Sequence, residues 1–288
     1  MDETETRSNG LNVFNLHLTN ACNYRCAYCF GKFSCAKPLA LQDCKRVIDN
    51  IRRYFQANAI IDGRINLAGG EPLLYPYLDE VIEYACKQGL RTSIVTNGSL
   101  LTETKIRFWA GKVDCIGLSV DSFLEETNRA VGRCNQGQTL SCSKLFATAD
   151  CIRENGIQLK VNTVVSKYNA WEDMMDGYRR LRPDRLKFFQ LQIVRSVNDF
   201  ARDFCITDEE FYAFYKRYKD CAMVVVMEES GSMENSYLMI DPQGKLILND
   251  CGEYRRFGDC LTEELVTLMK KIPIDNKKFA KRYTGVTV

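Results

Sequence analysis

Between residues 12 and 192 the chain alternates short apolar runs with longer stretches whose hydrophobic positions recur every three or four residues. The first spacing is that of buried strands and the second that of amphipathic helices, so the pattern predicts βα units around a parallel sheet. Six strands are predicted, over 12–18, 64–67, 91–95, 114–119, 158–165 and 185–192. After the first, Val47, Ile48, Ile51 and Phe55 fall on one helical stripe; after the second, Leu78, Val81, Ile82 and Ala85 do the same. From about residue 195 the spacing changes. A polar connection leads to a helix over 208–219, a hairpin-like pair flanking Asp241-Pro242-Gln243-Gly244, and C-terminal helices. No repeat, low-complexity tract or linker marks a separable domain.

Composition narrows the class. Hydrophobic residues make up 45% of the 288 and charged residues 26%, with six prolines, which excludes a disordered chain; no apolar run is long enough to span a membrane. Lys and Arg number 39 against 37 Asp and Glu, so no surface is devoted to nucleic acid or anionic lipid. A polyanionic ligand must meet individually placed charges. The leader MDETETRSNG is acidic and has no apolar core, which predicts no signal peptide and a cytoplasmic location where thiols stay reduced. Fourteen cysteines in such a chain read as metal ligands or catalytic groups where they cluster, and as small buried hydrophobes where they scatter.

They cluster in Cys22-Asn-Tyr-Arg-Cys26-Ala-Tyr-Cys29, directly after the first predicted strand. In a barrel that is a βα loop on the C-terminal face, where active sites sit. Soft thiolates favour zinc or an iron–sulfur cluster. A structural zinc wants four protein ligands, and the chain's one histidine, His17, lies on the preceding strand. A cubane held by three thiolates leaves one iron open for a substrate or cofactor.

The C-x3-C-x2-C spacing with Tyr28 before the last cysteine resembles the signature of the radical S-adenosylmethionine (SAM) superfamily. Ala68-Gly69-Gly70-Glu71-Pro72 after the second strand and Thr96-Asn97-Gly98-Ser99 after the third repeat that family's order, and glycines permit close backbone approach to a ligand. Further segments resemble the viperin branch, among them Leu118-Ser119-Val120-Asp121-Ser122, Val131-Gly132-Arg133, Asn169-Ala170-Trp171-Glu172-Asp173-Met174 and Ser236-Tyr237-Leu238. The resemblance implies an incomplete (β/α)6 barrel of TIM type over 11–194, a C-terminal α+β extension over 195–288 that closes it, and a flexible stretch over 1–10. It implies a [4Fe-4S] cluster on Cys22, Cys26 and Cys29, SAM held by Gly70, Glu71, Asn97, Ser119, Arg133 and Asn162, and reduction by a donor such as flavodoxin or ferredoxin. The branch's N-terminal amphipathic membrane helix and terminal Trp are lacking, which predicts a soluble, prokaryotic-type member.

Strand alternation points to the substrate. Lys160 and Asn162 share one face of the fifth strand, and Arg185 and Lys187 one face of the sixth, so adjacent strands project three cations and an amide to one side. Turned inward, such charges need an anion or cost about several kcal/mol in desolvation. A polyphosphate is such an anion. The resemblance assigns a nucleoside triphosphate to these four residues, with Arg256 and Arg282 in the C-terminal part, and implies Tyr237 as a catalytic hydrogen or proton donor near the ribose. The implied reaction removes H4' of a ribonucleoside triphosphate and expels the 3'-hydroxyl, giving a 3'-deoxy-3',4'-didehydro nucleotide, an antiviral chain terminator. CTP is the first choice of base, with UTP and GTP as alternatives. Two rivals stand: a peptide-modifying radical enzyme, whose auxiliary clusters would need more than Cys251 and Cys260 in the tail, and a non-enzymatic iron–sulfur or zinc protein with a fourth ligand such as Cys35.

Overall fold

The computed structural model describes residues 11–33 and 37–284; the stretch over 1–10 and Cys35 lie outside them. Six parallel strands stand where the hydrophobic runs predict them: β1 (Val13–His17), β2 (Arg64–Ala68), β3 (Arg91–Thr96), β4 (Cys115–Ser119), β5 (Gln158–Val165) and β6 (Arg185–Gln190). They belong to one ten-stranded sheet. β7 (Val224–Glu228) adds in parallel to β6, and β8 (Met239–Ile240) adds in parallel to β1. β9 (Lys245–Asp250) and β10 (Glu253–Asp259) follow β8 antiparallel. Residues after 194 therefore lengthen the sheet at both edges. The expected hairpin is β8–β9, where Asp241 Oδ1 accepts from the amides of Gln243 and Lys245 at 2.8 and 3.0 Å. β7 and β10 were not foreseen: β7 lies in an apolar run over 221–227 between α7 and the hairpin, and β10 is an edge strand with no alternation.

Helices α1 (Leu41–Ala57), α2 (Leu78–Lys87), α3 (Glu103–Trp109), α4 (Glu125–Ala130), α5 (Cys142–Glu154) and α6 (Met175–Leu181) fill the crossovers. The stripe Val47, Ile48, Ile51 and Phe55 of α1 is fully buried, as is Leu78, Val81, Ile82 and Ala85 of α2. Each large apolar side chain so covered stabilises the fold by roughly 1.5–3 kcal/mol. α7 spans Asp208–Lys216, ending before the expected residue 219, and opens with a reciprocal cap between Thr207 and Glu210. α8 (Leu265–Leu268) and α9 (Asn276–Thr284) end the chain's described part.

One face of the strands is covered by helices and the other lines a cavity. On β1, Phe14 and Leu16 join the apolar core, while Asn15 and His17 face a cavity of about 670 Å³. Side chains of β1 to β6, with Tyr237 and Arg282 from the tail, line it, so the sheet curls around one chamber whose two edges are bridged by the C-terminal part. The strands run the same way, so loops after β1 to β4 gather at one mouth.

Candidate active site

At that mouth the cysteine loop is fastened from three sides. Its backbone pairs with the turn after α4, Arg25 N donating to Gly132 O at 3.1 Å and Ala27 N to Val131 O at 2.9 Å. Gly132 has φ +75°, and a Cβ there would stand 2.3 Å from Arg25 O, so only glycine permits the approach. Tyr28 donates to Asp121 Oδ2 at 2.5 Å, Asn198 Nδ2 donates to Tyr28 O at 3.1 Å, and Tyr254 donates to Phe30 O at 3.0 Å. Cys22, Cys26 and Cys29 all line the cavity. Burial raises the thiols of Cys22 and Cys26, the latter to about 12. His17 stands beside the loop with its ring edge-on to Phe33; burial lowers it to about 4, leaving a neutral imidazole. Among the described residues no three His, Cys, Asp or Glu side chains converge on one ion. A cubane does not ask for that, because each thiolate binds a different iron.

Beside the thiols lies a backbone cradle. Gly70 N donates to Thr19 O and Glu71 N to Ala21 O, both at 2.7 Å, and a Cβ on Gly70 would meet Ala21 O at 2.2 Å. Gly70, Asn97, Ser119, Arg133 and Asn162 line the chamber. Glu71 does not. Its carboxylate is 1% exposed and spent inside the protein, accepting from Thr96 Oγ1 at 2.7 Å, Asn97 N at 2.8 Å and Leu73 N at 3.2 Å. Its place is that of a brace tying the second loop to the third, behind the residues that line the chamber. Arg133 is held by Asp121 at 3.0 Å, donates to Ser119 O at 2.6 Å and reaches Cys26 Sγ at 3.8 Å.

Deeper in the chamber the alternation argument is realised. Lys160 sits opposite Arg185 and Asn162 opposite Lys187 in the β5–β6 register, and all four face the cavity. Like charges opposite each other repel. Gly117 on β4 makes the room, since a Cβ there would stand 2.9 Å from Lys160 Cε and 3.1 Å from Asn162 Nδ2. Asn162 Oδ1 is buried with no hydrogen-bond partner, and burial lowers the Lys160 ammonium. Burial likewise lowers Lys187, to about 7, against the pull of Glu228. Arg282 and Tyr237 also reach the cavity. Arg256 does not: it stands on β10, half exposed, bound to Gln243 Oε1 at 2.8 Å and Asp241 Oδ2 at 3.4 Å, so edge-strand geometry removes it from the expected set. Cys251 and Cys260 flank opposite ends of β10, the first exposed and the second buried.

Two organising carboxylates, Asp121 and Glu228, were missed. Their one sequence signal is that inward cations require a buried anion.

The loop of cysteines, the glycine cradle and the strand order find their match in known proteins. A model of the radical SAM superfamily matches residues 16–181. The "S-adenosylmethionine-dependent nucleotide dehydratase" of Selenomonas ruminantium is 34% identical over 277 residues, covering 94% of this chain and 98% of that one. This chain belongs to the radical SAM nucleotide dehydratase family. A member from Danio rerio, named with the suffix RSAD2, is 33% identical over 258 residues, or 85% of this chain and 66% of that one. SuiB of Streptococcus suis, solved with SAM bound, shares the fold: TM-score 0.66 at 15% identity, over 95% of this chain and 68% of that one. The radical SAM cofactors, a [4Fe-4S] cluster and SAM, suit what the site offers: three soft thiols on one loop, Gly69 and Gly70 lining the chamber beside them, and a buried amide oxygen left without a donor. Among the described residues of this family member, no helix is long and apolar enough to cross a membrane.

Proposed function

We propose that this chain dehydrates a ribonucleoside triphosphate, CTP first and UTP or GTP as alternatives, to the 3'-deoxy-3',4'-didehydro nucleotide. The observation that carries the reading is one chamber with two chemistries: thiols and a glycine cradle at the mouth, and a paired array of Lys160, Asn162, Arg185 and Lys187 below it. The activity on nucleotides that names the family agrees with that array. When bound, the cluster on Cys22, Cys26 and Cys29 and the SAM beside Gly70, Asn97, Ser119 and Arg133 supply a 5'-deoxyadenosyl radical able to take a hydrogen atom.

The chain's own residues then orient and shield. Lys160, Arg185, Lys187 and Arg282 take the phosphates, offsetting the cost of their own burial, and fix the ribose below the mouth. Asn162, between the two groups, can accept at its Oδ1 from a hydroxyl or amino group of either ligand. With H4' gone, the ribose loses its 3'-hydroxyl as water on uptake of one electron and one proton. Tyr237, whose side chain reaches the chamber, is the donor of that proton. A one-electron donor such as flavodoxin or ferredoxin supplies the electrons.

The test is anaerobic. Reconstituted enzyme, dithionite and SAM are incubated with each ribonucleoside triphosphate in turn, and mass spectrometry seeks 5'-deoxyadenosine and a nucleotide lighter by one water. Cys26→Ala abolishes cofactor cleavage. Lys187→Ala raises the nucleotide KM roughly tenfold or more, as loss of a charge-assisted contact worth about 1.5–3 kcal/mol requires. Cofactor cleavage that no nucleotide alters, with no dehydrated product, refutes the reading.

A further inference from the structure

One buried carboxylate gathers three of the groups assigned to the nucleotide. Glu228, the last residue of β7, is 3% exposed. Its Oε2 accepts from the Tyr237 phenol at 2.7 Å and from Arg282 Nη1 at 2.7 Å, while Lys187 Nζ pairs with Oε1. The Arg282 guanidinium stands over the Tyr237 ring, its Cζ 3.3 Å from the centroid, and also donates to Ser236 Oγ at 2.6 Å. Lys187 Nζ is 5.8 Å from the same ring.

Two cations share one carboxylate, and Lys160 and Arg185 add more positive charge on the neighbouring strands. A polyphosphate entering the chamber offers Lys187 and Arg282 a stronger anion than Glu228 does. Glu228 cannot follow them, because its strand is hydrogen-bonded to β6 along its length. As the cations turn to phosphate, the carboxylate keeps one neutral donor, the Tyr237 phenol.

We propose that Glu228 is a positioning residue: it fixes the Tyr237 phenol and makes its alignment depend on occupancy of the triphosphate site. The inference rests on the reading of substrate and of Tyr237 given above. It goes further in assigning the coupling between phosphate binding and the proton donor to a residue that touches neither ribose nor cofactor.

The experiment compares holoenzymes at saturating ribonucleoside triphosphate and measures dehydrated nucleotide formed per 5'-deoxyadenosine, together with the nucleotide KM. Glu228→Gln keeps shape and an acceptor for the phenol but removes the charge. Its product ratio falls by about tenfold or more while KM stays level or drops, because phosphate no longer competes with a carboxylate. Tyr237→Phe shows the same fall, and the double variant is no worse than Tyr237→Phe alone, as residues acting as a unit require. Glu228→Asp, which keeps the charge but retracts it by one methylene, gives an intermediate ratio. A wild-type ratio in Glu228→Gln, a raised KM with the ratio intact, or additive losses in the double variant would overturn the proposal. If Glu228→Gln does not fold, Glu228→Asp decides: a ratio below wild type supports the proposal and an equal ratio sinks it. Failure of the functional reading looks different, since wild-type enzyme itself would then form no dehydrated nucleotide.

Discussion

Asp121→Asn tests whether the cysteine loop and the cofactor wall hang on one buried ion pair. The Asp121 side chain is 2% exposed and that of Arg133 10%. Oδ2 receives Arg133 Nη1 at 3.0 Å and the Tyr28 phenol at 2.5 Å, while Oδ1 receives Val164 N at 2.8 Å. An asparagine keeps the Val164 bond but turns an NH2 group toward the guanidinium and the phenol. Removing one partner of a buried pair costs about 3–5 kcal/mol, because the other charge is left uncompensated. Arg133 still donates to Ser119 O, which places the cost near the lower end, about 3 kcal/mol. On a chain of 288 residues that is a fall in unfolding midpoint of roughly 6–12 °C. The assay is anaerobic thermal and urea unfolding of the reconstituted enzyme, with SAM affinity measured alongside. Asp121→Asn/Arg133→Leu recovers much of the stability, since no buried charge remains, but not SAM binding. As a control, Glu264→Ala breaks the Arg53 pair, exposed on both sides, and costs under about 1 kcal/mol. An Asp121→Asn variant within about 1 kcal/mol of wild type, or a double variant no more stable than the single, refutes the reasoning.

Gly70→Ala drives a Cβ to 2.2 Å from the Ala21 carbonyl, and the loop must shift to admit it. The expected cost is about 1–3 kcal/mol, read as weaker SAM binding in equilibrium dialysis, whereas Gly231→Ala, with open space around it and no positive φ, leaves binding unchanged. Nucleotide KM depends on pH through Lys187. Burial sets its pKa at about 7, so the ammonium is present below that and lost as pH rises through it. KM is therefore level below pH 7 and climbs above it, and Lys187→Arg, which stays charged, flattens the profile; a KM equally flat in wild type would contradict the assignment.

The sequence by itself determined the six central strands, because a strand covered by helices on one face and lining a chamber on the other keeps its helix-facing positions apolar over a short run. It also placed Lys160, Asn162, Arg185 and Lys187 on one side, since strand alternation leaves no freedom once register is set. The cysteine spacing and the Gly69-Gly70 pair were legible for the same local reason: adjacent residues on one loop stay together in any fold. Tertiary structure alone decided what depends on contacts between distant segments. It turned Glu71 inward onto Thr96 and carried Arg256 out to an edge strand. It also brought Glu228, Tyr237 and Arg282, which lie 9 to 54 residues apart, onto a single carboxylate. No periodicity records such meetings, because the cost of an unpaired buried charge is settled only when the chain closes around it.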